Sequence, residues 1–543
     1  MSASRRRFLF HLQRFGLVPL VAVLTWGAFP SAAAGGPERV EVGSIAPSDV
    51  IAPFRFTFRA TVDSFTTVVL SGEKIVGEHE VVTDEAAARI DALREILGRR
   101  GRDPVRGGIT TLGALGLDAL IVTLFGVICL FYRPDIYRSM RQVAFFAGAF
   151  AFVAVSAGLL TRYAPGRVEL IPVALPAILL AVLFDARVAA VAAMTIAALI
   201  GAQPVLRGSD ALVFCFVGGV GATLSMRRIR HRTQVYAAIG VVAALYAGAA
   251  ALSGAAGEES LRAIGASAMY GGVNALGSAA LAMLVLPLAE AVTHSTTDLR
   301  LLELSDPDRP LLRRLATEAP GTYAHSVAMA NLCEAACNAI GANGLLARVG
   351  CYYHDVGKLK HPQYFVENQG HARNPHEHLT PAQSGAVIRR HVEDGLALAE
   401  EHHLPEVIAR FIPEHHGTSP ISFFLERARD LNPTSSLREE DFHYPGPLPQ
   451  SAETAVAMLA DSVEAALRVL DEPTPEKIED AIDHLVRNRI EAGQLREAPL
   501  TLRQVDIVQR EFVRVLSGMY HNRVEYPEDA GGLTADWESG RAN

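Results

Sequence analysis

Hydrophobic residues follow two rhythms along this chain. Up to residue 292 they gather into long, nearly unbroken runs. From Leu299 onward they recur every three or four positions, with polar residues between them. A helix crossing a bilayer needs about 20 mostly apolar residues, somewhat fewer in a packed bundle. The run at 15–34 therefore predicts a first span, and the runs at 109–132, 142–160, 168–184, 186–202, 211–226, 235–253 and 264–292 predict seven more. The first run, behind Arg5, Arg6, Arg7 and Arg14, also has the form of a signal peptide, with Ala32-Ala33-Ala34 as its cleavage site. After 299 the helical period predicts helices over 311–318, 322–341, 344–354, 381–401, 404–415, 420–430, 452–470, 475–491 and 501–521. Gly341, Gly357, Gly417 and Pro473 supply stops. Residues 363–379 read as a polar loop. Between the first and second runs, 35–108 make one external segment of 74 residues, extended and turn-rich over 40–58, with an amphipathic helix over 86–98 that places Ile90, Leu93 and Leu97 on one side. That length suits a small domain and not a large sensor.

The predicted class is all-α. A transmembrane helix or signal anchor (1–34) and a short extracytoplasmic segment (35–108) precede a polytopic helical membrane bundle (109–292). A helical domain (293–527) and a disordered tail (528–543) follow. Composition agrees: the chain is 50% hydrophobic and 20% charged over 543 residues, with a mean hydropathy of +0.21. Those values exclude an ordinary soluble enzyme and a disordered chain.

Charge orients the bundle. Alternating the spans puts Arg133, Arg138, Arg141, Arg187, Arg227, Arg228, Arg230 and Arg232 on the side of the four N-terminal arginines. The opposite short loops hold Arg162, Arg167, Arg207 and Arg262. Twelve against four places the N-terminus and everything after residue 292 in the cytoplasm. The net charge of −8 and the lack of a long basic tract exclude a nucleic-acid polymer as partner. The bundle shows few internal charges: Asp118 and Glu290 near span ends, and Asp185 with Arg187 at a turn. That weakens a transporter reading. Gly218-Gly219-Val220-Gly221 reads as close helix packing. Cys333 and Cys337, one helical turn apart, read as small core residues.

The chemistry lies in the second half, which holds 15 of the 18 histidines after residue 290. His354-Asp355 ends a helix. His325 lies inside a helix upstream, His391 inside one downstream, His415-His416 closes another, and Asp461 sits in an apolar helix face. A buried aspartate needs partners, and divalent ions satisfy carboxylates and neutral imidazoles together. Five imidazoles and two carboxylates without cysteine suit iron, manganese or zinc better than a structural zinc site. His402-His403 reads as a polar helix end, and His361, His371, His376 and His378 as loop residues, with Asn374-Pro375-His376 placed to cover a substrate.

The order His…His-Asp…His…His-His…Asp resembles the HD-domain phosphohydrolases, and more specifically the seven-transmembrane HD family of cyclic-di-AMP phosphodiesterases. The resemblance is carried by Pro320-Gly321-Thr322-Tyr323, Tyr352-Tyr353-His354-Asp355-Val356-Gly357-Lys358, Glu367-Asn368-Gln369 and Glu414-His415-His416-Gly417-Thr418. It continues through Asp441-Phe442-His443-Tyr444-Pro445-Gly446-Pro447 and Leu459-Ala460-Asp461-Ser462-Val463-Glu464-Ala465. It extends over about 300–527, the seven preceding spans and Val42-Gly43-Ser44-Ile45-Ala46-Pro47.

The resemblance implies a cytoplasmic HD phosphohydrolase domain on a bacterial inner-membrane protein, with two divalent ions, manganese or iron. His325, His354 and Asp461 would hold one ion, His391, His415 and His416 the other, and Asp355 would bridge. Lys358 would contact a substrate phosphate. The implied reaction is hydrolysis of cyclic-di-AMP to linear pApA by a hydroxide that the two metals activate. Besides the cyclic dinucleotide, the implied partner is the lipid bilayer, with a homo-oligomer and an external ligand left open. Two departures matter: the Gly-Tyr-Pro signature of cyclic-di-GMP enzymes is absent, and the external segment is far smaller than the family's usual one. The alternatives are an HD hydrolase of another nucleotide, a nucleotide-binding receptor without turnover, and a transporter with a regulatory nucleotide domain.

Overall fold

The computed structural model describes residues 10–29, 41–46, 49–52, 54–59, 66–70, 72–77, 79–102, 104–207, 209–226, 232–370, 373–431, 438–468 and 474–521. Arg5, Arg6, Arg7, the Ala32-Ala33-Ala34 step, Pro47, Arg227, Arg228, Arg230, His371, Pro473 and the expected tail over 528–543 lie outside the described residues. The chain forms two compact units, Met1–Thr297 and Asp298–Asn543.

In the first unit, four helices among the described residues are long and apolar enough to cross a bilayer: Gly108–Tyr132, Met140–Tyr163, Tyr236–Ala256 and Leu261–Thr293. Three shorter apolar helices, Val168–Leu183, Ala186–Gly201 and Ala211–Ser225, fall on the other predicted runs. A helix over Leu17–Ala28 precedes them. Leu112, Leu124 and Phe131 are 71%, 60% and 75% exposed on the Gly108–Tyr132 helix. So much uncovered apolar surface is stable only against lipid.

Side chains punctuate these helices. Ser139 caps the Met140–Tyr163 helix by accepting from Gln142 N–H. Asp185 accepts from the Arg187 and Val188 N–H groups and pairs with Arg133, so its role is to close the tight turn between two short helices. Gly218 is required sterically: a Cβ there would overlap the Tyr246 hydroxyl. Asp118 is buried and accepts from Gln203 Nε2 at 3.0 Å. Glu169, which the sequence reading passes over, is also buried. Ser267 donates to its carboxylate, and Asn274 Nδ2 donates to its carbonyl at 2.7 Å. The bundle thus holds one more internal carboxylate than its run pattern suggests.

The segment between the first two apolar runs has its own core around Phe56, Phe58, Val69, Ile90 and Leu93. Strand Val50–Ile51 pairs antiparallel with Lys74–Val76, and Phe56–Arg59 with Thr66–Val69. These pairs pack with the helix Asp84–Arg102, which contains the amphipathic stretch read from the sequence.

The second unit is helical, with helices Pro310–Glu318, Pro320–Ala339, Gly344–Tyr353, Pro381–Glu401, Ser422–Leu431, Ala452–Leu467, Pro475–Glu491 and Leu502–His521. Proline at the first turn starts four of them, where its missing N–H costs nothing. The helix expected over 404–415 is instead two short pieces, Glu406–Ala409 and Phe411–Glu414. Pro413 explains the break, because it cannot donate to the Ala409 carbonyl and its ring crowds that oxygen. The stretch 363–379 carries the short helix Val366–Gln369 and the 3-10 turn Pro375–His378, so it is more ordered than the expected loop. Cys333 and Cys337 are fully buried in the main core with Leu315, Val349, Phe411, Val456 and Phe512.

Candidate metal centre

The seven expected ligand residues converge from six elements of the second unit. His325 comes from the middle of the Pro320–Ala339 helix, and His354 ends the Gly344–Tyr353 helix. Asp355 begins the turn Val356–Lys360, and His391 lies in the Pro381–Glu401 helix. His415 and His416 follow the Phe411–Glu414 piece, and Asp461 lies in the Ala452–Leu467 helix. Two groups could each hold an ion: Asp355, His391, His415 and His416, and His325, His354 and Asp461. Within each group the ligand atoms lie within 4.8 Å of one another. Among the described residues, neither His402 nor His403 belongs to such a group.

Asp355 is at the centre. Its Oδ2 lies 3.1 Å from His354 Nε2 and 3.8 Å from His325 Nε2, and its Oδ1 lies 3.4 Å from His391 Nε2 and 3.7 Å from His415 Nε2. Asp461 reaches His325 Nε2 at 3.2 Å and His416 Nδ1 at 3.8 Å.

The helices also set the imidazole tautomers. Nδ1 of His354, His391 and His415 donates to the carbonyls of Cys351 (2.7 Å), Ile388 (2.6 Å) and Phe411 (2.8 Å). Each ring therefore turns an Nε2 lone pair inward. Those three Nε2 atoms and Asp355 Oδ1 are buried and have no hydrogen-bond partner. Four unpartnered buried acceptors set close together are costly alone, and divalent cations at the two ligand groups would satisfy them. The donor set therefore fits metal.

Electrostatics agree. Burial would raise the Asp355 carboxyl, but His354, Lys358 and His391 hold it well below the usual carboxylate range. Burial, reinforced by His354, pulls His415 down to about 3, and burial lowers His391 as well. These rings stay neutral, as ligands must. His325 differs: burial lowers its pKa, but hydrogen bonds to Asp461 and Glu464 outweigh that and take it to about 10. Without a cation those carboxylates draw a proton to His325; a bound divalent ion would supply the positive charge instead.

Supporting contacts fix this geometry. The Lys358 ammonium is shared between Asp355 Oδ2 (2.7 Å) and Glu367 Oε1 (2.8 Å). Glu367 also accepts from Thr322 Oγ at 3.1 Å, and Asn368 Oδ1 accepts from Thr322 N–H at 3.1 Å. A Cβ on Gly321 would overlap the Glu367 carbonyl, which explains a glycine before Thr322. Buried Glu414 accepts from Gln450 N–H and Thr454 Oγ, anchoring the residue before His415 to the Ala452–Leu467 helix. Tyr444 stacks on His416 with ring centroids 4.0 Å apart. His376 is buried instead of lying in an open loop, with Nε2 donating to Tyr364 O at 2.9 Å.

Sequence reasoning assigned no role to Glu464, whose Oε2 accepts from His325 Nδ1 at 2.5 Å while Arg468 braces it at 2.7 Å. The spacing offered a signal, since Glu464 lies three residues after Asp461 on the same helix face. A carboxylate behind a ligating histidine sets its orientation and basicity. Glu464→Gln is therefore expected to weaken metal binding by roughly 10-fold, the lower end of the range for such partners, with the fold intact. Metal titration of the purified chain checks this, and wild-type affinity would remove Glu464 from that role.

Comparison with known proteins follows the same division. Residues 109–297 match the family described as "7TM receptor with intracellular HD hydrolase", and residues 322–466 match the HD domain. The chain is 38% identical over 371 residues to "Cyclic-di-AMP phosphodiesterase PgpH" of Bacillus subtilis, covering 66% of this chain and 51% of that protein. It is 43% identical over 260 residues to the protein of the same name from Listeria monocytogenes, covering 48% and 36%. The solved HD domain of Listeria PgpH in complex with cyclic-di-AMP is 44% identical, covering 40% of this chain and 100% of that one, with a TM-score of 0.39. The chain spans about half, or less, of the length of these curated relatives.

Proposed function

Because residues 109–297 match the family of 7TM receptors with an intracellular HD hydrolase and residues 322–466 match the HD domain, we propose that this chain is a membrane-bound, metal-dependent phosphodiesterase. Its reaction is the hydrolysis of cyclic-di-AMP to linear pApA. The observation that carries the reading is the pair of His/Asp groups meeting at Asp355, with buried ligand atoms that no protein group satisfies. The names of the Bacillus and Listeria relatives supply the substrate.

His325, His354 and Asp461 would hold one divalent ion, and His391, His415 and His416 a second, with Asp355 shared; iron or manganese suits this nitrogen and oxygen set. When bound, the ions would supply Lewis acidity toward the phosphoryl oxygens and the attacking water. The chain's part is to orient. The backbone carbonyls behind His354, His391 and His415 fix their rings, Glu464 fixes His325, and Tyr444 backs His416. Lys358 holds Asp355 in place and keeps positive charge beside the position a phosphate would take. The arginine distribution supports a cytoplasmic HD domain and a bacterial inner-membrane location.

The deciding experiment uses the purified full chain in detergent with Mn²⁺ and cyclic-di-AMP, beside cyclic-di-GMP and linear dinucleotides. The expected result is linear pApA from cyclic-di-AMP. Metal-loaded protein that releases no linear product would overturn the enzyme assignment.

A further inference from the structure

Near the metal centre sits a cation that the mechanism does not use. Arg489 lies in the Pro475–Glu491 helix, and its guanidinium is held by hydroxyl groups. Nε and Nη2 donate to Ser462 Oγ at 3.1 and 2.9 Å, and Nη1 donates to Ser419 Oγ. Both serines flank expected ligands: Ser462 follows Asp461, and Ser419 lies three residues after His416. The Ser419 carbonyl accepts from Tyr444 N–H at 3.1 Å, and Tyr444 is the ring stacked on His416. The guanidinium is thus tied to the two segments that carry Asp461 and His416.

Among the described residues, Arg489 forms no ion pair. The other cations here contrast with it: Lys358 is neutralised by Asp355 and Glu367, and Arg468 by Glu464. A guanidinium has five N–H donors, and hydroxyls take three of Arg489's. A half-buried arginine that no carboxylate contacts directly among the described residues, with donors to spare, is better satisfied when an anion completes it. Its planar fork matches two oxygens of one phosphate.

We propose that Arg489 is a substrate-binding residue whose guanidinium, aligned by Ser419 and Ser462, takes a phosphate of the phosphodiester substrate. This rests on the phosphodiesterase reading for the substrate's identity, but not for the anion chemistry. It also separates two cations that sequence motifs do not distinguish: Lys358 braces Asp355, and Arg489 offers open donors.

The test uses the full metal-loaded chain with two probes, inorganic phosphate and cyclic-di-AMP. In Arg489→Gln, inhibition or binding by phosphate should weaken by roughly 10- to 100-fold, the worth of hydrogen bonds to a charged group. KM for cyclic-di-AMP should rise more than kcat falls, and metal content should match wild type. Unchanged phosphate affinity and KM would overturn the proposal and leave Arg489 a packing residue. Should Arg489→Gln lose metal or melt early, Arg489→Lys decides, since it keeps the charge and removes the fork. Phosphate affinity reduced about 5-fold or more at wild-type metal content supports the proposal; wild-type affinity overturns it. If the wild-type chain does not cleave cyclic-di-AMP, the functional reading fails, while the phosphate arm still judges Arg489.

Discussion

Asp355→Ala is expected to abolish turnover and metal loading together. Asp355 is 1% exposed, and its two oxygens lie within 4 Å of four ligand histidines, His325 and His354 at Oδ2 and His391 and His415 at Oδ1. Its removal leaves His354, His391 and His415 with inward lone pairs and no shared anion, and leaves Lys358 buried beside Glu367 alone. Losing metal forfeits several kcal/mol of transition-state stabilisation, so the rate should fall by on the order of 10³-fold or more. Elemental analysis and turnover on the same preparation check this. The fold should survive, because the core around Cys333, Val349 and Phe411 does not involve the carboxylate. A variant that keeps both metal and activity would remove Asp355 from the centre of the site.

Gly357→Ala is expected to have the second-largest effect, for a steric reason. A Cβ on Gly357 would overlap the His391 carbonyl oxygen and lie 2.6 Å from Gly395 N. Both obstacles are backbone of the Pro381–Glu401 helix, so no rotamer change relieves them. The turn carrying Asp355 must move away from the helix carrying His391, opening the 3.4 Å approach between them. Overpacking of this kind costs about 1–3 kcal/mol of stability. A misplacement of about 1 Å at the reacting groups costs roughly 10²-fold in rate. Gly395→Ala is the control: its Cβ meets a methyl of the buried Ile412 side chain at 2.8 Å and comes no closer than 3.4 Å to backbone, so its clash is the milder one. Thermal melting, metal content and turnover should all fall further for Gly357→Ala than for Gly395→Ala; equal effects would refute the backbone-contact argument.

The glycine shows how unevenly the site was legible. Gly357 reads from sequence as a helix stop, yet its decisive property is the backbone of another helix lying against it. The same holds for Lys358. Its motif suggests a phosphate contact, but its place in the motif is silent about Glu367, which comes round through the Val366–Gln369 piece to share its charge. Glu464 was within reach of spacing arguments, being one helical turn from Asp461. Arg489 was not, because its relation to Asp461 runs through the packing of two helices.

Sequence alone determined the features that depend on neighbours a few residues away. Apolar run length set the membrane helices. Prolines set four of the helix starts in the second unit, because a missing donor acts within one turn. The donor inventory pointed to metal, since buried carboxylates and imidazoles require a shared cation whatever their arrangement. Tertiary structure decided which donors meet. His325 and Asp461 lie in different helices yet approach to 3.2 Å, and His391 and His415 reach Asp355 Oδ1 from separate elements. No local rule encodes those distances, because they come from helix crossings that bury Cys333, Phe411 and Val456 in one core.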